Sequence, residues 1–221
     1  MQKMAVIIPY RNREEHLRKF LKSFPEYIGK QLPYLQYKIF VIEQKDDKPF
    51  MRGKLNNVGF DLTKDKFEYF CFHDVDMLPV NVNYSYPSIP THLAAEVSQF
   101  GEWEGKGLAY EYFFGGVVLF NKKDFSAVNG FSNEYVGYGC EDDDLLYRVI
   151  SSEMKWTRRD GMFISLPHPP SSKTPEHEAN KTHLLSVLKR QKPDPSGLSD
   201  LEYKVLSETK YPNYTHYEVQ I

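Results

Sequence analysis

Glu68-Tyr69-Phe70-Cys71-Phe72-His73-Asp74-Val75-Asp76-Met77-Leu78-Pro79 is the stretch whose reading decides the fold. Its first half, Tyr69 to Phe72, is a short aromatic-rich apolar run, too short for a helix, and reads as a buried strand of an α/β sheet. Two carboxylates one residue apart, Asp74 and Asp76, follow at its carboxyl end. Ligands of open α/β sheets bind just past that end of the strands. Asp-x-Asp placed there can offer hard oxygen ligands to Mg2+ or Mn2+, with a nucleotide diphosphate filling the remaining positions. The plain alternative is a solvated acidic turn.

Working outward toward the N-terminus, Met4 to Ile8 is a continuous apolar run, the profile of a buried parallel strand. Pro9-Tyr10-Arg11-Asn12-Arg13 follows it, with Asn12 and Glu15 at capping-box-like spacing. Leu17, Phe20, Leu21 and Phe24 predict a helix from about Arg13 to Phe24. Arg11 and Arg13 stand where a phosphate would be expected. Tyr37 to Ile42 reads as the second strand, Asp46 to Pro49 as a turn, and Arg52 to Leu62 as a helix with Leu55, Val58, Gly59 and Leu62 on one face. Strand and helix alternate as in a parallel sheet.

Toward the C-terminus, His92 to Val97 fits a strand or a short helix, and Gly101 to Gly107 reads as loop. Gly115-Gly116 opens the β-branched run Val117 to Phe120, so backbone can approach a ligand there. Lys122 to Val128 is a short helix ended by Asn129-Gly130. Phe131 to Cys140 is a glycine- and tyrosine-rich loop. It leads into Glu141-Asp142-Asp143-Asp144, which opens a helix with Leu145, Leu146, Val149 and Ile150 as its buried face. Acids suit a first helical turn, but four exceed what capping requires. Their crowding would raise the pKa of one, the condition for a general base. Met162 to Leu166 is a late strand, and His168, held between prolines, can complete a metal site with Asp76. Ser171 to Lys181 reads as a polar segment, Thr182 to Arg190 as a helix, and the tail around Tyr203 to Leu206 and Tyr214 to Val219 as one or two edge strands.

The 221 residues carry a net charge of -2, with 41% hydrophobic and 26% charged side chains. That balance fills a core and does not suggest a nucleic-acid binder. No apolar run is long enough to span a bilayer and no signal peptide is visible, which fits a soluble protein or a trimmed catalytic domain and leaves peripheral membrane association open. The two cysteines, Cys71 and Cys140, indicate no disulfide framework and favour a reducing compartment.

Taken together, the motifs resemble the β-1,4-galactosyltransferase family, glycosyltransferase family 7. The matching pieces, in family order, are Ile8 to Arg13 with His16-Leu17, Arg52 to Phe60, His73 to Pro79, Phe114 to Val117, Asn129 to Asn133, Gly137 to Asp144, Gly197 to Tyr203 and Tyr211-Pro212. The resemblance implies one GT-A domain over residues 1–221, a mixed, mostly parallel sheet flanked by helices. Its nucleotide half would be about 1–80 and its acceptor half about 81–221. It implies transfer of galactose from UDP-galactose to a glycan hydroxyl with inversion. Pro9, Tyr10, Arg11, Arg13, Phe50, Arg52, Asp74, Phe113 and Gly116 would serve the donor. Tyr138, Gly139, Asp142 and Asp143 would serve the acceptor, with Asp142 and Glu141 catalytic. Asp76 and His168 would hold Mn2+, or Mg2+.

Several positions depart from the family. Ser165 and Leu166 stand where its third metal ligand is found, implying weaker Mn2+ affinity. Tyr138 replaces a tryptophan. The family's disulfide cysteines are missing, which implies a cytoplasmic, bacterial-type enzyme, the alternative being a trimmed Golgi-lumenal catalytic domain. The alternatives are a UDP-N-acetylgalactosamine transferase, to be told apart at Phe113, and a carbohydrate-binding module without turnover, which would need no base.

Overall fold

The computed structural model describes residues 2–99, 108–167 and 174–221. The apolar run near the N-terminus forms β1 (Lys3–Tyr10), in which Met4 to Ile8 are fully buried. Helix α1 (Glu14–Gln31) runs past the expected end at Phe24, through Pro25. A proline inside a helix costs about 3 kcal/mol. The stripe Phe20, Phe24, Ile28 continues at every fourth residue and is buried throughout, and each such side chain returns about 1.5–3 kcal/mol. Asn12 does not cap this helix: it is left-handed at φ 51°, and the cap is Arg13, with no side-chain bond.

Next come β2 (Gln36–Gln44), α2 (Arg52–Thr63) and β3 (Tyr69–His73), with β2 and β3 both parallel to β1. The chain then forms β4 (Met77–Val82), which the sequence reading missed because Pro79 interrupts its pattern. The ambiguous segment after Pro90 resolves into two short strands, β5 (Thr91–His92) and β6 (Glu96–Val97), in different sheets. The loop read at Gly101 to Gly107 lies outside the described residues. Strand β7 (Val117–Asn121) pairs antiparallel with β3, and α3 (Lys122–Ala127) follows, capped by the Asn121 side chain.

Helix α4 (Glu141–Ser151) buries Leu145, Leu146 and Val149, but Ile150 is 47% exposed. Arg148 is buried in its place, because its guanidinium reaches Asp144 at 2.6 Å and the Asp194 carbonyl at 3.0 Å. After β8 (Thr157–Arg158) and β9 (Gly161–Ser165) comes α5 (Pro175–Arg190). It starts well before the expected Thr182, with Thr174 as its cap, Pro175 in its first turn and Glu176 and Glu178 completing that turn. The tail forms β10 (Lys204–Lys210) and β11 (Tyr214–Gln220). Of these two, β10 is an edge and β11 lies inside the sheet, parallel to β2.

The large sheet has the order β10-β11-β2-β1-β3-β7-β5-β8, and β4-β9-β6 form a second, small sheet. Helix α1 covers one face of the large sheet, packing on Val6, Ile8 and Cys71. Helices α2, α3 and α4 supply the core of the other, around Ile7, Phe70 and Phe72. Cys71 and Cys140 are both buried and free. Among the described residues no helix is long and apolar enough to cross a membrane.

The Asp144–Arg148 pair is almost fully buried. Arg148→Ala should therefore cost about 3–5 kcal/mol of unfolding free energy by leaving a carboxylate without its cation. Replacing both residues with apolar ones, Asp144→Leu with Arg148→Met, should recover most of that loss in urea denaturation.

Candidate active site

A cleft of about 990 Å³ opens where β1 and β3 end and α4 begins. One wall is Pro9, Arg11 and Arg13 from the end of β1, with Pro49, Phe50 and Arg52 from the approach to α2. Gln44, at the end of β2, organises that approach. Its amide donates to Asp46 and to the Lys48 and Pro49 carbonyls and accepts from the Met51 N–H. Arg11 donates to the Lys48 carbonyl at 2.6 Å and lies 5.5 Å over the Phe50 ring. The floor is Asp74 to Met77 with Phe113 and Gly116. The far wall is the loop Gly137 to Cys140, the acids Glu141, Asp142 and Asp143, and the inner face of α5.

The acid run divides as a helical first turn requires. Glu141, Asp142 and Asp143 line the cleft, and Asp144 is turned into the core. Arg52 binds Asp74 at 2.6 Å and Glu141 at 3.4 Å, joining floor to far wall. Burial works against its charge, but Asp74 and Glu141 together raise its pKa. Glu141 is raised by burial, with Arg52 opposing, and its Oε2 is buried with no partner. Asp142 is raised well above the ordinary carboxylate range by burial and then by the charges of Glu141 and Asp143. Asp143 is raised by burial, against the Tyr110 hydroxyl that donates to it at 2.6 Å. The cleft therefore holds a carboxylate prepared to accept a proton.

Comparison with known proteins decides the identity. Residues 1–88 match the model of the N-terminal region of glycosyl transferase group 7, and residues 91–169 match that of the N-terminal domain of galactosyltransferase. The chain belongs to the β-1,4-galactosyltransferase family, glycosyltransferase family 7. It is 36% identical to beta-1,4-galactosyltransferase 1 of Homo sapiens, covering 99% of this chain and 55% of that protein. It is 38% identical to beta-1,4-galactosyltransferase 4 of Cricetulus griseus, covering 99% of this chain and 63% of that protein. The chain thus spans little more than half the length of these curated relatives. A solved mutant of Drosophila beta1,4-galactosyltransferase 7, complexed with manganese, UDP-Gal and xylobiose, superposes with a TM-score of 0.83 at 27% identity. That match covers 100% of this chain and 94% of the other. The mixed sheet with flanking helices is the GT-A fold.

On this family member, nearly every described residue expected at the site meets in the one cleft. Tyr10 does not line it. Its side chain is buried beneath, edge-on to His216, and its hydroxyl accepts from the Arg13 N–H. His168 lies outside the described residues. Asp76 lines the cleft, and its carbonyl accepts from the Leu166 N–H at 2.8 Å. Among the described residues no group of three metal-ligating side chains forms. The donor chemistry nonetheless suits a hard cation: Asp74 and Asp76 are carboxylates on the cleft floor, close to the unpartnered Glu141 oxygen's wall.

The sequence reading missed Tyr110 and the inner face of α5, where His177, Lys181, Leu184 and Leu185 line the cleft. Thr174-Pro175-Glu176 is a helix-start signal that would have found the latter. Asn180 binds α5 to the aromatic loop. Its amide donates to the Val136, Tyr138 and Gly139 carbonyls and accepts from the Val136 N–H. The helix lies so close that a Cβ on Gly139 would fall 2.6 Å from the His177 ring.

Asp142 gives a stability test. Its raised pKa means the folded chain keeps a proton that the unfolded chain releases near the ordinary value, about 3.9. Stability is then lost as pH rises from that value through the folded one. Asp142→Asn should raise the melting temperature of the ligand-free protein at pH 7, and the gain should vanish near pH 4, as read by calorimetry.

Proposed function

We propose that this chain transfers galactose from UDP-galactose to a sugar hydroxyl of a glycan, with inversion and a β-1,4 linkage. The observation that carries this reading is a base-ready carboxylate, Asp142, facing the Arg11–Phe50 wall across one cleft. It is supported by a similar structure that holds manganese, UDP-Gal and xylobiose. We read the chain as a single transferase domain with its nucleotide half at about 1–80.

The wall residues divide the work. Phe50, with Arg11 stacked over it, offers a flat face and a cation for the uridine diphosphate. Arg13 adds a second cation at the same wall. Tyr138, 48% exposed, offers its ring to an acceptor sugar. Asp142 takes the proton of the acceptor hydroxyl as its oxygen attacks the anomeric carbon and the bond to UDP breaks. Asp143, fixed by Tyr110, and Glu141, fixed by Arg52, orient the acceptor beside it. A divalent cation, Mn2+ or Mg2+, held by Asp76 and by His168 as the resemblance implies, would supply positive charge for the departing diphosphate.

UDP release from UDP-galactose, with an acceptor array and with or without Mn2+, tests the reading. No release above background with any acceptor would reject it. Asp142→Asn should lower turnover about 10²- to 10⁴-fold while leaving UDP binding intact; if Glu141→Gln does this instead, the base is Glu141. Asp76→Ala should abolish the response to Mn2+.

Donor choice rests on Phe113. Its ring lines the cleft and is packed edge-on to Tyr110 at 5.6 Å and to His92 at 5.4 Å, which leaves little freedom to yield to an N-acetyl group. Discrimination by shape alone is limited to about 1–3 kcal/mol per small group. Phe113→Leu should relax or reverse the preference for UDP-galactose over UDP-N-acetylgalactosamine, and an unchanged ratio would remove Phe113 from the donor pocket.

A further inference from the structure

Arg158 makes an unusual set of contacts for a cation. Among the described residues it has no carboxylate partner. Its Nε donates to His92 Nδ1 at 2.9 Å, and one terminal nitrogen donates to the carbonyls of Glu111 and Phe113 at 3.0 and 2.7 Å. Its guanidinium lies 5.6 Å over the Trp156 ring. The two-residue strands β5 and β8 pair His92 directly with Arg158, which puts the two side chains together.

The contact decides the state of His92. A guanidinium can only donate, so Nδ1 must be the acceptor and the ring must be neutral with its proton on Nε2. That proton goes to the Gly115 carbonyl at 2.9 Å. His92 is fully buried, and burial lowers its pKa to about 3. Gly115 in turn is the seat of the base: a Cβ added there would fall 2.1 Å from Asp142 Oδ2. Arg158 and His92 thus grip both ends of the segment Glu111 to Gly115, which carries Phe113 and leads into Gly116, left-handed at φ 76° on the cleft floor.

We propose that His92 and Arg158 are positioning residues for the transfer reaction: through the carbonyls of Glu111, Phe113 and Gly115 they set the donor-sugar floor and the seat of Asp142. The proposal rests on reading the cleft as the donor site. It predicts a loss confined to the sugar end of the donor, because the Arg11–Phe50 wall is held separately, by Gln44.

The test measures UDP affinity with Mn2+ by calorimetry, kcat and KM for UDP-galactose, and the donor ratio. His92→Leu should lower kcat/KM on the order of 10- to 100-fold through misplacement of the floor, relax the preference for UDP-galactose, and leave UDP affinity unchanged. His92→Gln, which can still donate to Gly115, should recover part of the loss, and Arg158→Met should behave as His92→Leu. If His92→Leu does not fold, His92→Gln and Arg158→Met carry the test. Wild-type kcat/KM in these variants, or UDP affinity falling in step with transfer, would overturn the proposal and leave the donor-site reading standing. Wild-type protein that binds no UDP would overturn both. Histidine 1H–15N NMR reads the geometry without substrate: a neutral Nε2–H ring from pH 5 to 8 is expected, and a charged ring or the Nδ1–H tautomer would overturn the proposal.

Discussion

Arg52 stands between two carboxylates that come from distant parts of the chain. Asp74 ends the stretch after β3, and Glu141 opens α4. The guanidinium is largely buried, and such a cation is tolerable only when paired and hydrogen-bonded. Its presence fixes the distance between the floor of the cleft and the acid wall. Helix α2, which carries Arg52, is itself packed against β1 and β2 through Leu55 and Val58. The spacing of floor and acid wall is thus tied to the core beneath α2.

The walls differ in how they are held. The Arg11–Phe50 wall depends on Gln44 and backbone carbonyls, and the aromatic loop is joined to it by the Gly137 N–H donating to the Phe50 carbonyl at 2.8 Å. The floor depends on buried neutral histidines. His73 bonds the Asp74 carbonyl through Nδ1 and meets the Tyr84 hydroxyl at Nε2, while His92 holds Gly115. The Asp74 N–H donates to the Gly116 carbonyl and ties the two together. The histidines of this floor are neutral and both ring nitrogens of each are engaged, the arrangement that keeps a low-dielectric cleft rigid.

Local pattern carried the central strands, α2 and the acid run, because each is a continuous apolar or charged block whose period is short. It failed where tertiary partners override the pattern. Ile150 is apolar yet exposed, since α4 outruns the core there and Arg148 finds both a carboxylate and a carbonyl inside. Helix α1 ignores Pro25 because the stripe it would abandon is fully buried. Strand β11 looks like an edge by composition, and its interior place depends on β2, some 170 residues earlier. At the site, charged and glycine motifs marked most of the cleft. Asn180, Tyr110 and Arg158 act through contacts distant in sequence and have no local signature.

The placement of β11 has a consequence for how the molecule is made. Strand β2 (residues 36–44) gains its outer neighbour only when residues 214–220 arrive. During synthesis its free side is an open row of backbone donors and acceptors, the feature through which nascent chains stick to one another. Pairing across so long a separation is also slow, because loop closure comes before any gain in contacts. The Arg11–Phe50 wall, which hangs from the end of β2 through Gln44, is thus among the last parts of the cleft to become rigid. Assembly of this protein is set to be governed by its C-terminal strands and sensitive to anything that holds them back.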